Sequence, residues 1–267
     1  MRKVIRIAYI ALILLFLYAP IFTLTVYSFI DTPVVSFNEI VKTGFSFGLY
    51  KKLFTDPALM KIVWDTLLLA LIVAVLSTIL GTFGAIGIHY HKGKFGKIVS
   101  ASSRIPVINA EIVTAVSIVL LFAFLFSGSR SYASMVIGHM VLTTPFVVLS
   151  VIPKLKQMDN NLYEAALDLG ASPMRALWTV VIPQIATGIL SGFMMAITLS
   201  LDDYIVSAYT QPAGFKTIST YVYGAMAKSG TNSSLPALRA LSAIIFLVII
   251  LIVVLNNVIA RKKENKA

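Results

Sequence analysis

The chain has 267 residues, of which 58% are hydrophobic and only 12% charged, against roughly a quarter charged in an ordinary soluble domain. Its formal charge of +11 suits a membrane surface as well as a polyanion, and the basic residues cluster between apolar stretches, which selects the membrane and leaves no nucleic-acid partner. Cysteine is absent, so disulfide frameworks and thiolate metal sites are excluded.

In chain order, hydropathy predicts an all-α, polytopic membrane protein with six transmembrane helices near 7–30, 62–88, 105–127, 133–152, 185–207 and 237–260. Each is long enough to cross about 30 Å of hydrocarbon at roughly 1.5 Å per residue. Arg2, Lys3 and Arg6 stand ahead of the first run. That run exceeds the roughly 7 to 15 apolar residues of a signal peptide and no small-residue cleavage site follows it, so it reads as a span. Little length remains for a soluble domain, and residues 1–267 read as a single transmembrane domain.

Six spans put both termini on one side. If that side is the cytoplasm, Arg2, Lys3, Arg6, Lys92, Lys94, Lys97, Arg104, Lys154, Lys156, Arg175, Arg261, Lys262, Lys263 and Lys266 lie inside, fourteen of the 22 basic residues. Lys42, Lys51, Lys52, Lys61, Arg130, Lys216, Lys228 and Arg239 fall outside, and the excess follows the positive-inside tendency. Between spans one and two, Asp56 followed by Pro57 has the chemistry of a helix start, which opens the second helix well before its apolar stretch. Gly81, Gly84 and Gly87 on span two, and the Gly188–Gly192 pair on span five, are small residues at which helices can approach closely in lipid. Beyond span five, Ile218, Tyr221, Val222, Ala225 and Met226 form one apolar helical face, suited either to packing over the outer mouth of a bundle or to lying on lipid.

The acids carry the first functional signal. Seven of the eleven lie in loops or the tail: Asp31, Glu39 and Asp56 outside, Asp159, Glu164 and Asp168 inside, and Glu264 at the end. The other four, Asp65, Glu111, Asp202 and Asp203, lie in or at the edge of spans that contain no Lys or Arg. An ionisable group at that depth is costly unless it meets protein, water or a counter-ion, which points to a cationic visitor. Asp65 lies near the outer end of its helix and can reach solvent. Glu111 is open to either a pathway role or a local hydrogen bond. Asp202 and Asp203 are neighbours separated by about 100° around a helix, so one of them faces a lumen and the other an interface. Tyr204, Tyr209, Tyr221 and Tyr223 follow, offering π faces for an ammonium group or anchors at the membrane surface.

The internal connection over about 153–184 contains EAALDLGASPMRALWTVVIPQI from Glu164. Glu164-Ala165-Ala166 reads as a helix start, Gly170 as its break, and Pro173 and Pro183 as the bounds of a second short helix leading into span five. Two short helices at right angles would form a compact knob below the membrane. This stretch resembles the EAA signature of ABC-importer permeases: Glu164, Ala165 and Ala166, with Gly170 six residues and Pro183 nineteen residues after Glu164. Leu177 stands where that family commonly has an aromatic residue. The region TLSLDDYIVSAYTQPAGFKTISTYVYGAM from Thr198, and the segment around Pro106 and Glu111, resemble the PotC type of spermidine/putrescine permease.

The resemblance implies a MetI-like permease bundle in a bacterial plasma (inner) membrane, multi-pass, with cytoplasmic termini. It implies a homologous second permease, two cytoplasmic ABC ATPases that bind ATP and Mg, an extracytoplasmic polyamine-binding protein, and no cofactor on this chain. Glu164, Ala165, Ala166, Gly170 and Pro183 would couple to an ATPase, while Asp202, Asp203, Tyr204, Glu111, Tyr209 and Tyr221 would line the substrate pathway. Two other classes compete. An enzyme lacks support, since Gly93-Lys94 and Gly96-Lys97 are followed by Phe95 and Ile98 rather than completing a phosphate loop, His89 and His91 lie in a basic loop, and His139 inside span four reads as a packed, hydrogen-bonded side chain. A stand-alone transporter or channel could use the same acids, but it has no need of the knob.

Overall fold

A computed structural model describes residues 2–31, 44–91, 109–126, 130–227, 239–248, 250, 251 and 254. Among these residues every regular element is helical. They divide at Lys61/Ile62 and at Thr220/Tyr221 into two compact units.

The first unit contains α1 (Arg2–Tyr27) and α2 (Gly48–Thr55). Large apolar side chains project from α1 without cover, Phe16 being 80% exposed, which suits a lipid-facing span and would be a liability in water. At its end, the Ser28 hydroxyl lies 2.6 Å from the Tyr50 hydroxyl, Phe29 packs its ring against Phe45, Phe47 and Tyr50, and Lys52 pairs with Asp31 at 3.0 Å.

The second unit is built on α3 (Pro57–Tyr90), whose first residues precede the division, α4 (Glu111–Phe126) and α5 (Tyr132–Gln157). The start of α3 is set by Asp56, whose carboxylate accepts the Ala58 backbone N–H at 2.9 Å, with Pro57 in the first turn. At 34 residues it spans roughly 50 Å at 1.5 Å per residue, well beyond the apolar stretch alone. Ser131 and Ser134 cap α5 reciprocally, which satisfies amides that would otherwise face an apolar surrounding.

The expected knob forms from α6 (Asn160–Asp168) and α7, the helical run Pro173–Gln184. Asp159 caps α6 by accepting the Asn161 N–H at 3.0 Å, so this helix starts ahead of Glu164, one turn earlier than the Glu-Ala-Ala triplet suggests. It ends at Gly170, whose φ of 85° is the left-handed conformation that other residues resist. Ala171 N–H reaches the Ala166 carbonyl and Gly170 N–H the Leu167 carbonyl, the paired bonds of a Schellman stop. Ser172 caps α7 through the Arg175 N–H. Ahead of Pro183 the run widens into a π turn over Leu177–Val181, because a proline ring crowds the carbonyl four residues back and has no N–H to offer it.

After Ile185 the chain turns by 71° into α8 (Ala186–Asp202). Expected as one helix over 185–207, this region is broken: α8 stops at Asp202 and α9 (Ile205–Thr210) starts beyond a two-residue interruption. The predicted helix after span five is present as α10 (Ile218–Ala227), and a further apolar helix, α11, covers Arg239–Val248. Among the described residues, α1, α3 and α5 are long and apolar enough to cross a bilayer, the bent α7–α8 pair qualifies as a fourth crossing, and α4 and α11 are shorter apolar helices.

The core of this unit joins the knob to the membrane helices. Ala74, Ala85 and Ile86 of α3, Val147, Val151 and Leu155 of α5, Met158 at the end of α5, Ile185 at the bend and Ala196 of α8 form one buried cluster with Val181 of the knob, and Tyr163, Leu177 and Ile182 of the knob pack against it. Its closeness depends on the small residues noted in the sequence, but not on all of them. A Cβ on Gly192 would meet Val147 at 3.0 Å, and one on Gly188 would meet the Ser150 carbonyl at 3.1 Å. Gly81 also presses on Val147, whereas Gly87 faces open space. Gly192→Ile is expected to lower stability by about 1–3 kcal/mol through overpacking, while Gly87→Ala is neutral; thermal unfolding of the purified chain in detergent checks both.

Candidate functional site

The two-residue interruption between α8 and α9 brings the paired acids to opposite environments. Asp203 takes an extended backbone, φ −64° and ψ 123°, and its carboxylate turns forward to accept the backbone N–H groups of Val206 at 3.2 Å and Ser207 at 2.8 Å. In a continuous helix those amides would bond to the carbonyls of Asp202 and Asp203. Here a side chain displaces backbone, the usual way a short acid stops a helix and starts another.

Such a carboxylate needs more than two amides when it is buried, and the Asp203 side chain is 1% exposed. The remainder comes from α5. His139, wholly buried, brings Nε2 to 3.3 Å from Asp203 Oδ2 and 3.2 Å from the Ser207 hydroxyl. Its Nδ1 lies 2.9 Å from the Met135 carbonyl. The Ser219 hydroxyl donates to the Asp203 carbonyl at 2.6 Å. Acids without an intramembrane base were expected at this depth; no Lys or Arg is involved, but His139 supplies Asp203 with a partner in the same chain.

Asp202 differs in each respect. Its side chain is exposed, and among the described residues no hydrogen bond or ion pair holds its carboxylate. It is the last residue of α8, where no cap N–H closes the final carbonyls. Unpaired carbonyls at a helix C-terminus carry about half a negative charge, so the carboxylate and the helix end add to one anionic spot. Tyr204 lies in the interruption and Tyr209 on α9, both partly exposed.

The neighbouring helices hold this break in place. α9 packs on α4 and α5, with Ala115, Leu142 and Val206 sharing one buried cluster. Gly138 sits against Val206, where a Cβ would clash at 2.6 Å. Beyond the break, the Ile218 N–H donates to the Thr66 hydroxyl of α3 at 3.0 Å.

The remaining expected pathway residues are more scattered. Glu111 is exposed and heads α4, where an acid is stabilised by the helix dipole; the expected start of that span at 105 lies outside the described residues. Tyr221 belongs to the other compact unit. Asp65 is partly buried on α3. On the knob, Glu164 and Ala165 are exposed, Ala166 is half-buried, Gly170 forms the turn and Pro183 stands exposed just before the 71° bend. Around them Leu162, Leu169, Met174 and Trp178 are exposed, Leu169 at 89%.

Residues 77–264 match the family described as binding-protein-dependent transport system inner membrane component. The chain belongs to this family. It is the membrane permease of an ABC importer, a transport component with the MetI-like fold. The putrescine transport system permease protein PotI of Escherichia coli (strain K12) is 30% identical over 236 residues, covering 85% of this chain and 81% of that protein. The spermidine/putrescine transport system permease protein PotC of Haemophilus influenzae is 28% identical over 253 residues, covering 91% of this chain and 96% of that one. Among solved structures, a chain of a bacterial alginate ABC transporter superposes with a TM-score of 0.70 at 18% identity over 97% of this permease and 93% of that chain. One of the MetNI methionine transporter, inward facing, gives 0.63 at 18% identity, over 76% of this permease and 94% of that chain.

His139, Ser207 and Ser219 were not legible as site residues. The signal available was a histidine in an apolar span, which requires a partner, but the partner lies 64 residues away, between His139 and Asp203. The two acids of this permease therefore predict opposite mutational outcomes. Asp203→Ala, which breaks a buried pair, is expected to cost about 3 kcal/mol, whereas Asp202→Ala stays within roughly 0.5 kcal/mol; unfolding of the two variants in detergent measures the difference.

Proposed function

We propose that this permease passes a polyamine, putrescine or spermidine, into the cytoplasm, and that the cation is received at the end of α8. The observation that carries the substrate class is the exposed Asp202 carboxylate on an uncapped helix C-terminus, beside an Asp203 already neutralised by its own chain. Broken helices of transporters bind cations at such ends. A terminal ammonium of a polyamine fits a single carboxylate with carbonyls around it, and Tyr204 and Tyr209 offer π faces to the same charge. Glu111 and Tyr221 are further candidates on this pathway. The names of the PotI and PotC relatives agree in substrate class.

The whole chain acts as one permease domain in a bacterial plasma membrane, with six spans and both termini cytoplasmic. α4 and α11 supply the two crossings that their described lengths fall short of. Its partners are a homologous second permease, two cytoplasmic ABC ATPases that carry ATP and Mg, and an extracytoplasmic polyamine-binding protein. The EAA knob is the ATPase seat: Leu162, Leu169, Met174 and Trp178 are each exposed on a segment that lies below the membrane, where exposed apolar side chains call for a protein partner.

Because Val181 of the knob shares a core with α5 and α8, and Tyr163, Leu177 and Ile182 pack against it, a push on the knob is delivered to α8 as a unit. That helix of 17 residues transmits it over roughly 25 Å at 1.5 Å per residue. At its far end stands Asp202. Alternating access follows as rigid tilting of packed helices, with the binding protein loading the outer side and ATP-driven closure opening the inner one.

The test is ATP-dependent uptake by the reconstituted complex, with diamines, triamines and amino acids as competitors. Polyamines alone should compete, and Asp202→Asn should reduce uptake roughly tenfold or more while the complex still assembles. Preference for amino acids would overturn the substrate class. Gly170→Val, which forces a branched side chain into a left-handed turn at a cost of about 1–2 kcal/mol, should weaken ATPase retention on copurification without changing the yield of the permease pair.

A further inference from the structure

The break between α8 and α9 has its own source of order, and it lies in α5. The Met135 carbonyl can only accept, so Nδ1 of His139, at 2.9 Å, carries a proton. Nε2 faces the Asp203 carboxylate at 3.3 Å and the Ser207 hydroxyl at 3.2 Å. Two lone pairs facing each other across a dry site would repel, so one further proton lies between Nε2 and Oδ2, whichever atom holds it. As a unit the pair is neutral, closed to a cation, and anchored to a helix other than the one it interrupts.

We propose that His139 is a positioning residue for the transported cation: by neutralising and anchoring Asp203 it maintains the interruption that leaves Asp202 open at the end of α8. This rests on the reading of Asp202 given above. Without His139, a carboxylate whose side chain is 1% exposed is left with two amides, and leaving its pocket is the direct relief. The caps on Val206 and Ser207 then go, and their N–H groups return to the carbonyls of Asp202 and Asp203, the partners of a continuous helix. That consumes the Asp202 carbonyl. It also carries Tyr204 to a new azimuth, since each added helical residue turns the chain by about 100°. The anionic spot is dismantled by a residue that never touches the substrate.

The experiment uses the assembled importer in proteoliposomes and reads putrescine moved per ATP hydrolysed, a ratio that loss of folded complex leaves unchanged. H139F should lower this ratio about fivefold. H139Q, which keeps an N–H donor toward Asp203, should recover to within about twofold, and H139F on a D202N background should add less than about twofold, as coupled positions do. A ratio unchanged in H139F, or a full H139F effect added to D202N, overturns the inference while D202N alone still lowers the ratio. If D202N keeps the wild-type ratio, the assignment of Asp202 falls and takes this inference with it. Should H139F fail to assemble, H139N, whose amide keeps a donor toward the Met135 carbonyl but is too short to reach Asp203, must lower the ratio about fivefold; a wild-type ratio there overturns the inference.

Discussion

A carboxylate cannot remain in an apolar bundle without a partner, and the way this permease satisfies Asp203 shapes the region around it. The partners come from three places: amides of the following helix, a histidine of α5 and, through the backbone, Ser219. Each contact also restrains something else. The amides start α9, the histidine ties that start to α5, and the serine fixes the chain after it. A helix that would otherwise run on is stopped at Asp202, and the end so created is left uncapped and negative.

The joint between the knob and α8 depends on close packing. Gly188 and Gly192 let α8 lie against α5 so closely that no side chain fits between them, and the knob enters the same core through Val181. Interfaces packed this way move as blocks rather than deforming smoothly. The 71° bend at Ile185 gives the knob its angle to α8, and the Schellman stop at Gly170 gives α6 its angle to α7. One end of α8 is thereby joined to the knob and the other ends at Asp202.

Much of this was legible in the sequence, for reasons that differ by residue. Asp56-Pro57 announced the start of α3 because capping is local chemistry, and Gly170 announced a turn because its conformation is one that side chains resist. The Gly188–Gly192 pair was readable as a close approach, but Gly87 looked the same and packs against nothing; spacing on one helix does not reveal where its neighbour lies. The fifth span was misread as continuous. Nothing in apolar periodicity separates an acid that lines a helix from one that ends it, since the decision rests with amides three and four residues ahead and with His139 on another helix. The same limit hid the split between the two acids, which were predicted to face different ways but not to have one neutralised from within.

The exposed Asp202 should be open to an amine, and the buried Asp203 closed to it. Carbodiimide activation of the assembled importer in the presence of isotopically labelled putrescine, followed by mass spectrometry, tests this directly, because an accessible carboxylate forms an amide with the amine that reaches it. The label is expected on Asp202, with Asp203 unmodified. Label on Asp203, with Asp202 unmodified, would contradict it.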